Sequence, residues 1–180
     1  MILRPATPND AEAFFDHIAR HFAESGKDGD VIFHPCPEFK EWKKEERVDS
    51  LRKAWAMDLS EPRWERAWVV VDESGAIRGH GTLRGAGLPA ASHRCVAGLG
   101  LERPARGRGQ GLALMETAIT WAKAQDHLFW VDLNVFANNT PARKLYEQLG
   151  FQAFGMTMDL FRVEGESIDD IHMSLQIREE

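Results

Sequence analysis

Leu99-Gly100-Leu101-Glu102-Arg103-Pro104-Ala105-Arg106-Gly107-Arg108-Gly109-Gln110-Gly111-Leu112 reads as an apolar strand that runs into a glycine-rich turn and opens a helix. This is chain geometry suited to a pyrophosphate. Gly107, Gly109 and Gly111 remove side chains at alternate positions where an anion must approach the backbone. The helix beginning near Gln110 aims its free amides and the positive end of its dipole at the same point. Arg106 and Arg108 add positive charge beside it.

The spacing excludes two common phosphate motifs. A nucleotide P-loop needs Gly-Lys-Ser/Thr after its last glycine, whereas Gly109 is followed by Gln110 and Gly111. A dinucleotide fingerprint G-x-G-x-x-G starting at Gly107 would need a glycine where Leu112 stands. What remains is R-x-x-G-x-G, Arg106 to Gly111, ahead of the apolar helix of Leu112, Leu114, Met115, Ala118, Ile119 and Ala122. The hexapeptide alone is also compatible with a strand-to-helix turn that binds nothing.

A second stretch narrows the reading. Val131-Asp132-Leu133-Asn134-Val135-Phe136 is strand-like, and Ala137-Asn138-Asn139-Thr140-Pro141-Ala142-Arg143-Lys144-Leu145-Tyr146-Glu147-Gln148-Leu149-Gly150-Phe151 follows it. Asn139 is a good N-cap, Pro141 sits in a first turn where its missing amide costs little, and Ala142, Leu145 and Leu149 form one apolar face. Gly150 suits a left-handed helix stop.

Together the two stretches resemble the signatures of the GNAT superfamily, the histone-acetyltransferase-related N-acetyltransferases. The first matches the acyl-CoA pyrophosphate loop, and the second matches N-x-x-A-x-x-L-Y followed by G-F. They stand in the family's order, one helix and one strand apart, and the resemblance is strongest from Leu99 to Phe151. It implies an α+β fold with a mixed, mostly antiparallel central sheet flanked by helices, whose fourth and fifth strands splay to admit acetyl-CoA. It also implies acetyl-CoA as acyl donor and no metal.

Carried over residue by residue, the resemblance gives the backbone of Leu99, Gly100 and Leu101 to the pantetheine arm and acetyl carbonyl. The loop of Arg106, Gly107, Arg108, Gly109, Gln110, Gly111 and Leu112 takes the pyrophosphate. Asn139 takes the pantetheine region, its plain alternative being N-capping. Tyr146, the only tyrosine, takes the position that protonates the departing thiolate, its plain alternative being a core aromatic. A phenol near pKa 10 facing a thiol near 8.5 gives up its proton uphill by about 2 kcal/mol, so hydrogen bonding to the thiolate describes the role as aptly as general acid catalysis.

The acceptor amine, with a pKa near 10.4, is neutral only about once in two or three thousand molecules at pH 7, so a proton must leave before or during attack. Some GNAT members place a glutamate on the strand corresponding to His93 to Leu101, and this strand has none. Cys95 stands near that place, with His93 two residues earlier on the same face by strand alternation. His93 reached through water is the candidate base, and a carboxylate from elsewhere is the open alternative.

The rest of the chain fits one such domain over residues 1–180. With 180 residues and 43% hydrophobic content a substantial core is expected. No run approaches a membrane span and Met1 to Pro5 lacks a signal-peptide core, so a cytoplasmic location is expected. Cys36 and Cys95 have no metal-ligand spacing and read as free thiols. A formal charge of −6 argues against a nucleic-acid surface. Expected partners are a small-molecule amine and no nucleic acid or membrane; a homodimer is compatible.

Along the chain, Met1 to Arg4 reads as a strand. Thr7-Pro8-Asn9-Asp10 caps a helix with Ala11, Phe14, Phe15, Ile18 and Phe22 on one face. His17 and His21 share a helix face but lack the glutamate of a zinc-hydrolase motif, and are expected as a solvated pair. Gly26 to Pro37 reads as a loop. Glu38 to Met57 is helical in propensity, and the mixed charges of Glu38 to Arg47 point to an exposed face. Trp42, Trp55, Trp64 and Trp68 read as core or interface anchors. Asp72 to Gly75 joins a hairpin, His93 to Leu101 is the central strand, and two more strands flank Val163 to Glu166. Gly98 and Gly100 within a strand mark a bulge or a close backbone approach.

The function expected is acetyl transfer from acetyl-CoA to a primary amine, of a small molecule, by direct attack in a ternary complex. A protein N-terminus or lysine as acceptor, and an acyl-CoA-binding module without turnover, are the alternatives.

Overall fold

The structure, a computed structural model, describes residues 1–35 and 43–179. The elements are β1 (Ile2–Pro5), α1 (Ala11–Ala23), α2 (Lys44–Ala56), β2 (Glu65–Val71), β3 (Ile77–Gly85), β4 (Arg94–Leu101), α3 (Gln110–Lys123), β5 (Trp130–Phe136), α4 (Thr140–Gln148), β6 (Gln152–Val163) and β7 (Glu166–Gln176). The strands form one sheet in the order β1-β2-β3-β4-β5-β7-β6. The fold is α+β, and every strand pair is antiparallel except β4 with β5.

That exception positions the site. β4 and β5 pair only through Arg94↔Trp130, Cys95↔Val131 and Val96↔Asp132. Beyond Val96, β4 continues to Leu101 bonded to β3 alone, while β5 continues to Phe136 bonded to β7. The two strands therefore part at their C-terminal ends, as the splayed sheet requires.

Strand alternation sends neighbouring residues to opposite faces, each covered by helices. A Cβ added at Gly79 or Gly81 would meet Leu114 of α3, whereas one at Gly100 would meet His21 of α1. In β2, Trp68 and Val70 join the core beneath α3, and Ala67 and Val69 join the core of Phe14, Phe15, Val48, Leu51 and Trp55 beneath α1 and α2. Trp55, Trp64 and Trp68 are buried anchors, while Cys36 and Glu38 to Trp42 lie outside the described residues.

One expectation is corrected and two are narrowed. The solvated pair His17 and His21 is buried, because positions 17 and 21 follow Phe14 by three and seven residues and extend its stripe under the sheet. The charged stretch is exposed over Glu45 to Arg47, and α2 buries Val48, Leu51 and Trp55 beyond it. Gly98 and Gly100 do not mark a bulge, for the β3–β4 register runs unshifted from Gly79↔Leu101 to Gly85↔Cys95. They permit close approach instead: a Cβ would stand 2.7 Å from Thr82 Oγ1 at Gly98 and 2.4 Å from His80 Cε1 at Gly100.

Candidate active site

At the splay, the loop after β4 presents backbone rather than side chains. Gly107 and Gly109 adopt left-handed φ of 67° and 74°, with nothing within 4 Å of where a Cβ would sit. Gly109 caps α3, and Ala113 N is the first amide to bond back, to Gly109 O at 3.0 Å. The amides of Gln110, Gly111 and Leu112 consequently have no intrahelical acceptor and face out of the helix start. Arg108 is exposed beside them. Gly111 has a different reason to be glycine: a Cβ there would stand 3.1 Å from Leu145 Cδ1, 3.3 Å from Leu101 Cδ1 and 3.6 Å from Leu99 Cδ2. The first turn of α3, the end of β4 and α4 thus close on one another at the loop.

Arg106 is a correction. Its Nε donates to Leu101 O at 2.9 Å, its guanidinium pairs with Asp30 at 2.7 Å and with Glu24, and its amide donates to Arg103 O at 3.1 Å. Neither its charge nor its amide is left for an anion. The acids at the end of α1 and in the following loop hold this side chain, and it ties that loop to β4.

Tyr146 on α4 is 7% exposed, packs against Phe151, and among the described residues its hydroxyl has no hydrogen-bond partner. Burial pushes its phenol up to about 12. It therefore stays protonated at any working pH and keeps its hydrogen to donate. Transfer to a thiolate of pKa near 8.5 is uphill by about 5 kcal/mol in this environment, which favours hydrogen bonding over full proton transfer. Asn139 caps α4, its Oδ1 accepting from Ala142 N at 3.3 Å, which leaves its amide hydrogens as donors.

On the α1/α2 face, a cavity lies against the part of β4 that includes the splay point. Phe14, Phe15, Ile18 and Phe22 form its apolar wall, Val96, Ala97 and Gly98 its β4 side, and Arg47, Arg84, Glu65, His80 and Thr82 its polar groups. Glu65 Oε1 accepts from Trp55 Nε1 at 3.0 Å. Behind His80 runs a buried chain: His80 Nδ1 lies 2.9 Å from His17 Nε2, and His17 Nδ1 lies 2.8 Å from Glu102 Oε1. Arg20 Nε donates to the same carboxylate at 3.0 Å and Arg78 at 2.8 Å. Burial pushes the Glu102 carboxyl up, but hydrogen bonds from His17, Arg20 and Arg78 outweigh it and hold it at about 2.

His93 and Cys95 do not fill the place of the base. His93 is exposed in the turn before β4, about 20 Å of strand ahead of Leu99, and is not among the residues lining the cavity. Cys95 is fully buried, and burial raises its thiol to about 12. The sequence reading missed Glu102 and His80. His80 carried a signal, standing between Gly79 and Gly81 with Gly98 and Gly100 ahead, but Glu102 acquires its partners only through folding.

Residues 31–151, about two thirds of the chain, match the sequence profile of the Acetyltransferase (GNAT) family. Over 100 residues the chain is 29% identical to the L-amino acid N-acetyltransferase AaaT of Escherichia coli, a match covering 56% of this chain and 62% of that protein. The chain thus spans under two thirds of that relative. Among solved structures, a GNAT-family acetyltransferase from Streptococcus pneumoniae superposes with a TM-score of 0.83 at 21% identity, covering 98% of this chain and 99% of that one. The yncA acetyltransferase of Salmonella typhimurium, solved with acetyl-CoA, gives 0.81 at 16% identity, covering 100% and 95%.

Proposed function

Since the chain belongs to the acetyltransferase (GNAT) family, we propose that it is an acetyltransferase and transfers acetyl from acetyl-CoA to the primary amine of a small α-amino acid, by direct attack in a ternary complex. The observation that carries this reading is the parting of β4 from β5 after Val96, with the αL-glycine loop at one end and the α1/α2 cavity beside it. Two substrates can reach one point from different sides.

Acetyl-CoA supplies the thioester carbonyl when bound. The outward amides of Gln110 to Leu112 and the Arg108 side chain hold its pyrophosphate, and Leu99 to Leu101 offer backbone to the pantetheine arm, with the Asn139 amide as a further donor. Tyr146 donates a hydrogen bond to the sulfur as negative charge develops there.

The acceptor class follows from the cavity. Arg84 has no acidic partner among the described residues, and it supplies positive charge for a carboxylate. The phenylalanine wall suits an apolar side chain. AaaT's printed substrate class, L-amino acids, agrees with this arrangement.

Two variants test the reading. Gly109→Val forces a β-branched residue to positive φ at the cap, so acetyl-CoA binding by calorimetry should vanish while the protein stays folded. Arg84→Gln should raise KM for carboxylate-bearing amines about tenfold and leave that for acetyl-CoA unchanged. Unaltered acetyl-CoA affinity in Gly109→Val would remove the loop assignment, and equal KM effects on amino acids and plain alkylamines would remove the carboxylate.

A further inference from the structure

The structure assigns the acceptor's proton to a buried relay, His80 to His17 to Glu102, with His80 Nε2 as the base facing the cavity. This rests on the acetyltransferase reading and names the group that the sequence left open.

Hydrogen-bond geometry fixes the tautomers. Glu102, held ionised by Arg20 and Arg78, can only accept, so His17 donates through Nδ1 and its Nε2 carries the lone pair. His17 Nε2 must then accept from His80 Nδ1–H. That leaves His80 Nε2 as a bare lone pair. Among the described residues the one buried side-chain nitrogen or oxygen without a partner is His21 Nδ1, so His80 Nε2, which has no protein partner, is open to the cavity that His80 lines. Gly100 and Gly98 complete the arrangement, since a side chain at Gly100 would collide with the imidazole and one at Gly98 with Thr82 beside it.

The proton balance closes within the protein. An amine N–H proton passes to His80 Nε2, the His80 Nδ1 proton passes to His17 Nε2, and His17 becomes an imidazolium against the Glu102 carboxylate. No electron pair leaves the relay, and the proton returns to solvent by the same path after product departs. The relay avoids leaving charge on His80, where burial and the neighbouring His17 and His21 disfavour it, and places it beside a carboxylate. The charged or titratable groups facing the relay are His17, His21 and Arg20 from α1, Glu24 just after it, Arg78 from β3 and Glu102 after β4, with Arg47, Glu65 and Arg84 across the cavity.

Two measurements test it. In the unliganded protein, imidazole nitrogen shifts should show Nδ1–H with bare Nε2 at both His80 and His17, a readout that needs no turnover. In kinetics, His80→Gln should keep acetyl-CoA binding and lose roughly 100-fold in kcat/KM at about pH 7. Its pH profile should rise with unit slope up to the amine's own ionisation, whereas the unaltered enzyme bends at a lower pH and runs flat. Glu102→Gln should move that bend further to acid. Nε2–H tautomers at His80, or a His80→Gln profile of unchanged shape, would overturn the relay while leaving the acetyltransferase reading intact. No thiol release by the unaltered protein with any amine would remove both.

Discussion

Replacing Tyr146 by Phe removes one hydroxyl and keeps the ring that packs against Phe151. Because burial holds the phenol at about 12, its contribution is a hydrogen bond to a developing thiolate. A bond to a charged group is worth about 1.5–3 kcal/mol, which converts to a rate loss of roughly 10- to 150-fold. Among the described residues the hydroxyl has no protein partner, so its loss should leave the melting temperature unchanged or slightly raised. The assay is single-turnover thiol release at saturating acetyl-CoA, where chemistry and product release separate. Full activity in that step would refute the role. A melting temperature that falls with the activity would show that the ring's packing was disturbed.

Other expectations follow from the same geometry. Gly100→Ala puts a Cβ 2.4 Å from His80 Cε1 and 2.8 Å from His21 Cδ2, so urea unfolding should show a loss of roughly 1–3 kcal/mol; unchanged stability would contradict that packing. Burial lowers the pKa of His17, His21 and His80, to about 3 for His21. Unfolded histidines titrate near 6.5, so stability is complete above that pH and falls beneath it by up to about 1.4 kcal/mol per pH unit for each histidine. Glu102, held at about 2, adds a loss below its ordinary value. Denaturant midpoints that stay flat from pH 7 to pH 5 would refute this. Arg106→Met should lower stability by roughly 1–3 kcal/mol by removing an ion-pair partner from Glu24 and from Asp30, which are left with Arg103, while Arg108→Met should weaken acetyl-CoA binding in a salt-dependent way with little change in melting temperature. The reverse pattern would restore Arg106 to the anion site.

The elements legible in the sequence were those that local chemistry specifies. The start of α3 at Gln110, the Asn139 cap of α4, the left-handed Gly150 that stops it and the Asp72 hairpin turn each depend on a few adjacent residues, and each is found. What escaped depends on long-range partners. Arg106 looked like a free cation because Glu24 and Asp30 stand 82 and 76 residues away in sequence. His17 looked solvated because its partners, His80 and Glu102, are 63 and 85 residues away. A histidine at helical spacing from Phe14 belonged to the buried stripe, and that periodicity was a better guide than polarity. His93 failed as a base for a related reason: alternation gives the face of a strand but not which end of it meets the cleft.

The most direct test of the account is acetyl transfer itself. With acetyl-CoA and a panel of L-amino acids, alkylamines and amino-terminal peptides, free thiol should appear and the amine product should gain an acetyl group by mass, fastest for small amino acids with apolar side chains. Acetyl-CoA that binds yet yields neither thiol nor acetylated amine with any member of the panel would contradict it.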